Sequence, residues 1–201
     1  QYKYFDLHMR ADTFFSNPQP GQEISHNYRS HIFQSTTDQI LAVFYRKDAC
    51  LWVITEDNRD YPGLPESIFH IAGISDQDMI LMDVNPLANP PEAIGKEPEH
   101  GFCYFFQKTS LELQRGDFTE ALTFASQALD LNLEAKDPVD WTPLAKAFVL
   151  NKKWDQTIQI AEKLDYGSEK ARFFCSQLQA LETARNQPEL VEVLRKAGCG
   201  D

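Results

Sequence analysis

Basic residues are scarce in this chain of 201: 19 Lys and Arg stand against 30 Asp and Glu, for a net charge of -11. Nonspecific nucleic-acid binding needs positive charge to displace counterions from the phosphate backbone, so this balance argues against that class and against anionic lipid headgroups. No nucleic-acid partner is expected. Long apolar runs are missing as well, the longest being Ile40–Tyr45, far short of the roughly 20 residues of a membrane helix. The nine glycines are mostly isolated and cradle no phosphate, and no Gly-x-Ser-x-Gly elbow is present. The chain opens at Gln1 with neither an initiator Met nor a basic-apolar signal segment. It is therefore expected to be a fragment of a longer protein, with any targeting information in the missing part.

Cysteine is sparse. Cys50, Cys103, Cys175 and Cys199 make no CxxC pair, and no paired His stands at metal-ligand spacing, so no metal site and no cofactor is expected. Free buried thiols are the plain reading. A disulfide requires an oxidising compartment, and Cys50 with Cys103 is the first pair to test.

What is present suffices for a folded core: 42% of residues are hydrophobic and 12% aromatic. The expected class is α+β, in two sub-domains. Residues 1–84 read as a small α+β domain, 85–100 as a Pro-rich linker holding Pro86, Pro90, Pro91 and Pro98, and 101–201 as helical. In the first part, Tyr2–Phe15 is an extended lead-in, and Asn17, Pro18, Pro20 and Gly21 mark a turn. Gln39–Tyr45 and Cys50–Ile54 read as an antiparallel hairpin. Pro65 opens a helix through Ile68, Phe69, Ile71 and Ala72, and Met79–Val84 reads as a third strand.

From Gly101 the apolar spacing turns helical. Phe102, Phe105, Phe106, Thr109 and Leu113 share one face, and Gly116-Asp117 breaks the helix. The next helix sets Phe118, Ala121, Leu122, Ala125, Ala128 and Leu129 on one face. Trp141, Leu144, Ala145 and Phe148 then lead to Trp154, Thr157, Ala161 and Leu164. This order resembles the tetratricopeptide pattern, and Phe118 and Trp154 lie 36 residues apart, close to the roughly 34 of that repeat. Ala171–Ala184 and Pro188–Ala197 form a poorer third unit, with Glu189, Glu192, Arg195 and Lys196 on a polar capping face. The resemblance implies that the first helices line a concave face. It puts Phe106, Ser110 and Gln114 there from one unit, and Thr142, Lys146 and Leu150 from the next, as contacts for a protein or peptide partner.

No catalytic residues are identified. Glu97, Glu99, His100 and Cys103 cluster at the start of the helical part and could bind a cation or move a proton, but acidic residues near a helix amino end are the simpler account. Asp38 beside Thr36 and Thr37 is either a ligand loop or a turn cap. Trp52, Trp141 and Trp154 could stack on sugars; in a repeat the last two belong to the core. Asp38, Glu99 and His100 form the candidate polar site if an enzyme or sugar-binding module is present.

A wider resemblance concerns Phe33–Tyr45, Cys50-Leu51 and Glu97-Pro98-Glu99-His100-Gly101-Phe102-Cys103-Tyr104-Phe105-Phe106. These look like the soluble carboxy-terminal region of certain bacterial multi-pass membrane proteins that are similar to glycosyltransferases using lipid-linked sugars. It spans about Arg29 to Leu164. The resemblance implies an extracytoplasmic tail of a membrane-embedded protein, whose chemistry lies elsewhere, and it favours a Cys50–Cys103 disulfide. The expected function is thus a non-catalytic interaction or regulatory domain, whose partner is a protein, a peptide or the membrane-embedded part of the same chain. The alternatives are a sugar-binding or catalytic accessory module, and a cytoplasmic location.

Overall fold

The structure, a computed structural model, describes residues 18–80, 99–181 and 187–199. It is of mixed α and β type. The chain divides into two compact units: residues up to Ala42 with Val53–Met79, and Val43–Trp52 with the residues from Ile80 onward. Relative to a boundary near residue 84, the difference is that Val43–Trp52 belongs with the helices. The expected lead-in over Tyr2–Phe15, residues 81–84 of the expected third strand, and residues 85–98 of the linker lie outside the described residues.

In the first unit, β1 (Glu23–Tyr28) and β2 (His31–Thr36) pair antiparallel, from Glu23 opposite Thr36 to Tyr28 opposite His31. Arg29 turns the hairpin at a φ of 54°, a conformation that costs a non-glycine residue energy, and Ile32 is left exposed. Neither strand was anticipated from the sequence, because no Asn-Gly or Gly-rich turn marks the reversal. The buried Thr37 hydroxyl ties the hairpin to the chain before it, donating to the Gln19 carbonyl at 2.6 Å and accepting from the Gln22 amide at 2.9 Å. Ala42, Ile54, Tyr61 and Ala72 are buried apolar residues of this unit, and α1 (Glu66–Ile71) follows Pro65 as expected.

Two strand expectations need correction. The long strand over Gln39–Tyr45 shrinks to β3 (Ala42–Phe44), which forms a two-stranded sheet with β4 (Trp52–Ile54). Thr37–Gln39 is instead a 3-10 turn. The Ala42 amide donates to the Ser75 hydroxyl at 2.9 Å, and the Asp76 amide to the Ile40 carbonyl at 2.8 Å, so neighbours other than a partner strand satisfy this stretch. Met79 likewise ends a 3-10 turn, Gln77–Met79.

In the second unit, α2 (Phe102–Arg115) buries Phe102, Phe105, Phe106, Thr109 and Glu112. Gly116 stops it at a φ of 77°, in the left-handed region that glycine adopts without strain. Asp117 then caps α3 (Phe118–Asp130) by accepting the Glu120 amide at 3.0 Å. Ala121, Ala125 and Ala128 give α3 a small-residue face that packs on α2 and α4, whereas Phe118, expected on that face, is exposed.

After a 3-10 turn, Pro138–Trp141, the helix α4 (Thr142–Leu150) is buried on nearly every side, as a helix apolar all round must be. It packs against α2, α3, α5 (Trp154–Ala161) and α6 (Glu169–Gln179). The last helix, α7 (Pro188–Ala197), packs on α5 and α6. On its outer side Arg195 pairs with Glu192 at 2.7 Å and Lys196 with Glu162 at 2.9 Å, so Glu192, Arg195 and Lys196 carry charge where a capping face was expected. Among the described residues, no helix is long and apolar enough to cross a membrane.

All four cysteines are paired, in place of the free thiols that were the plain expectation. Cys50 bridges to Cys103 with Cα atoms 5.2 Å apart, and Cys175 to Cys199 with Cα atoms 6.1 Å apart. The second bridge ties α6 to the chain just after α7.

Candidate functional site

Several polar groups of the helical unit converge on a guest, the segment Val43–Trp52. The turn before α4 supplies the receiving groups. Asp137 sits ahead of Pro138, accepts the Val139 amide at 3.1 Å, and so fixes the turn in which Asp140 lies. Asp140 is 1% exposed, and each of its oxygens takes a donor from the guest segment. Oδ2 accepts the Cys50 amide at 2.8 Å and Oδ1 the Trp52 indole N–H at 2.7 Å.

Asp137 is itself ion-paired with Arg46 and, at 3.2 Å, with Lys170 of α6. Burial pushes the Asp140 carboxyl up to about 6, and the neighbouring Asp137 charge adds to the rise. The hydrogen bonds from Trp52 and Cys50 and the Arg46 charge oppose it without cancelling it.

Apolar contacts complete the seat. The Trp52 ring lies 5.1 Å from that of Phe106 on α2 and 5.8 Å from that of Phe173 on α6, so one indole bridges two helices that both flank α4. The Gln107 amide group donates to the Leu51 carbonyl, and Lys136 pairs with Asp48 at 2.9 Å. Chemically this is an anchor. While the segment is seated, both Asp140 oxygens face donors of the protein itself.

The residues expected to meet a partner split by depth. Phe106 and Thr142 are buried, Phe106 beneath Trp52 and Thr142 through a 2.7 Å bond to the Val139 carbonyl, and so they offer no surface. Ser110, Gln114, Lys146 and Leu150 are half-buried. Lys146 donates to Gln177 at 2.6 Å and Ser110 to the Phe106 carbonyl at 2.8 Å. In both stripes the residue at the amino end is covered and the two that follow remain reachable.

Of the candidate polar site, Asp38 belongs to the first unit and accepts the Gly21 amide at 2.8 Å, the role of a turn cap. Glu99 and His100 belong to the second unit and are exposed, and His100 stacks on Tyr104 with centroids 3.6 Å apart. Trp52 and Trp141 are core residues, and Trp154 is half-buried. Among the described residues, no three His, Cys, Asp or Glu side chains are grouped to hold a metal ion.

Sequence reasoning missed Asp140 altogether. Its partners stand 88 and 90 residues earlier in the chain, and beside Trp141 it reads as one more acidic residue near a helix start. A readable signal was the Asp-Pro-x-Asp order at 137–140, which marks a capped turn but not what the second Asp receives. No family model, no curated protein and no solved structure matches this chain.

Proposed function

We propose that the helical unit is a short tetratricopeptide-like array, serving as a non-catalytic interaction or regulatory module of a membrane-anchored bacterial protein on its extracytoplasmic side. The packing order carries this reading. The helix α4 lies against α2 and α6, and α5 against α7, so the first helices of successive hairpins are neighbours, while α3 packs on α4, as neighbouring units of a stack do. Phe118 and Trp154 each open the second helix of a hairpin. Two disulfides suit an oxidising compartment.

The partner is a protein segment, from another chain or from the membrane-embedded part of the same protein, and it meets Ser110, Gln114, Lys146 and Leu150. Panning a random-peptide display library against the immobilised chain tests this. Enriched peptides that lose at least about tenfold in affinity to Lys146→Glu, and keep their affinity for Asp155→Lys on α5, support the reading. Peptides indifferent to Lys146→Glu, or no enrichment over a denatured control, overturn it.

A further inference from the structure

We propose that Val43–Trp52 is an intramolecular ligand of the helical array, latched by the Cys50–Cys103 disulfide, and that opening the latch exposes a seat for a peptide hairpin carrying a Trp and, some residues before it across the turn, an Arg. The inference rests on the interaction-module reading and names the regulation and ligand chemistry of the same face.

The seat has the parts of a peptide-binding site. Asp140 accepts one backbone amide and one side-chain donor from the chain leading into β4 of the β3–β4 hairpin, which fixes how the hairpin is seated. Phe106 and Phe173 hold the indole between two helices, and Asp137 takes the guanidinium of Arg46. The seated segment covers Phe106, the amino-end residue of the α2 stripe whose later members Ser110 and Gln114 are half-buried. A partner lying along those two residues therefore runs into the arm.

The latch is placed to be opened from outside. Cys103 is an exposed residue in the first turn of α2, whereas Cys50 is 2% exposed. A thiolate of a dithiol reductant attacks the Cys103 sulfur, the Cys50 sulfur leaves as a thiolate and takes up a proton, and a mixed disulfide forms at Cys103. The reductant's second thiol then attacks its own sulfur in that bond, leaving the reductant as a disulfide and Cys103 as a thiolate, with two electrons passed to the protein. The arm is then held by non-covalent contacts alone and is open to competition.

The probe is a fluorescein-labelled peptide with the sequence of residues 43–54 and serine in place of Cys50, titrated into the full chain and followed by anisotropy. A Cys50→Ser/Cys103→Ser variant, which keeps the other bridge, should bind it at least about tenfold more tightly than the oxidised protein, because the resident arm loses the added constraint of the bridge and competes through its chain connections alone. Adding Trp52→Ala should tighten binding further, and adding Asp140→Ala instead should abolish the gain. Equal affinity of the oxidised protein and both open-latch variants overturns the proposal, as does binding unaffected by Asp140→Ala.

Native-state hydrogen exchange on the mildly reduced wild type guards against variants that misfold. Amides 43–52 should lose protection while those of α4 keep theirs, and unchanged protection of the arm counts against release. Failure of the latch leaves the Lys146-dependent peptides of the display experiment unaffected, so the two readings fail separately.

Discussion

The carboxylate of Asp140 lies 2.7 Å from the indole nitrogen of Trp52, across 88 residues of sequence, and with its other oxygen it holds the Cys50 amide. Asp140→Ala leaves both donors unsatisfied in a buried place, and each such loss costs about 1–3 kcal/mol. Urea denaturation should show a loss of about 2–4 kcal/mol, with a smaller loss for Asp140→Asn, which keeps one acceptor. A loss under about 0.5 kcal/mol for the alanine variant would mean that the seat contributes little to folding.

The raised proton affinity of Asp140 gives stability a definite slope. The native carboxyl titrates near 6, the unfolded one near the ordinary value of about 4, so the native state binds the proton more tightly. The stability due to this group is fully present below pH about 4 and is lost as pH rises through 6. Its amplitude is on the order of 3 kcal/mol. Measured from pH 4 to 7, wild type should lose stability relative to Asp140→Asn; parallel curves would refute the assignment.

Thiol chemistry checks the covalent frame. Denatured but unreduced protein should titrate with no free thiol, and four free thiols would dismiss both bridges. The loops they close span sequence separations of 53 and 24 residues. Chain entropy therefore predicts losses of about 4 kcal/mol for Cys50→Ser/Cys103→Ser and about 3 kcal/mol for Cys175→Ser/Cys199→Ser.

How legible these features were depends on the distance between partners. The break at Gly116-Asp117 is written in two adjacent residues, one free to take a positive φ and one able to cap, and the helix boundaries on either side follow from it. The starts of α3 and α5 likewise coincide with Phe118 and Trp154. Residues 39–54 did read correctly as two paired strands, but a run rich in β-branched and aromatic side chains overstates their length and says nothing of what covers them. What covers Trp52 is Phe106 and Phe173, and what satisfies the Cys50 amide is Asp140. No local period carries information about partners so distant. The hairpin at Arg29 was hidden for the opposite reason, its turn lacking the residues that usually advertise one.

The adjacent pair between α2 and α3 gives a local test of that reasoning. Gly116→Ala forces a side chain into a φ of 77°, at a cost of about 1 kcal/mol. Asp117→Ala removes the acceptor of the Glu120 amide, also at about 1 kcal/mol. Thermal unfolding should register both, and neither should change the arm's hydrogen-exchange protection, because both lie at the far end of α2 from Cys103.

Thr109 makes the sharpest prediction because its sign is unusual. It is fully buried in α2, and its hydroxyl is the buried side-chain polar atom without a hydrogen-bond partner among the described residues. A buried hydroxyl with no partner forfeits its bonds to water and gains nothing in return. Valine has the same shape and carries a methyl group at that position, so Thr109→Val removes the penalty without opening a cavity. Most core substitutions destabilise, yet this one should raise stability by about 1 kcal/mol, read as a higher urea midpoint at unchanged slope. Thr109→Ser keeps the hydroxyl and loses a methyl group, and it should fall below wild type. If Val proves less stable than Thr, the hydroxyl has a partner and the interior of α2 is more polar than its neighbours Phe105 and Phe106 imply.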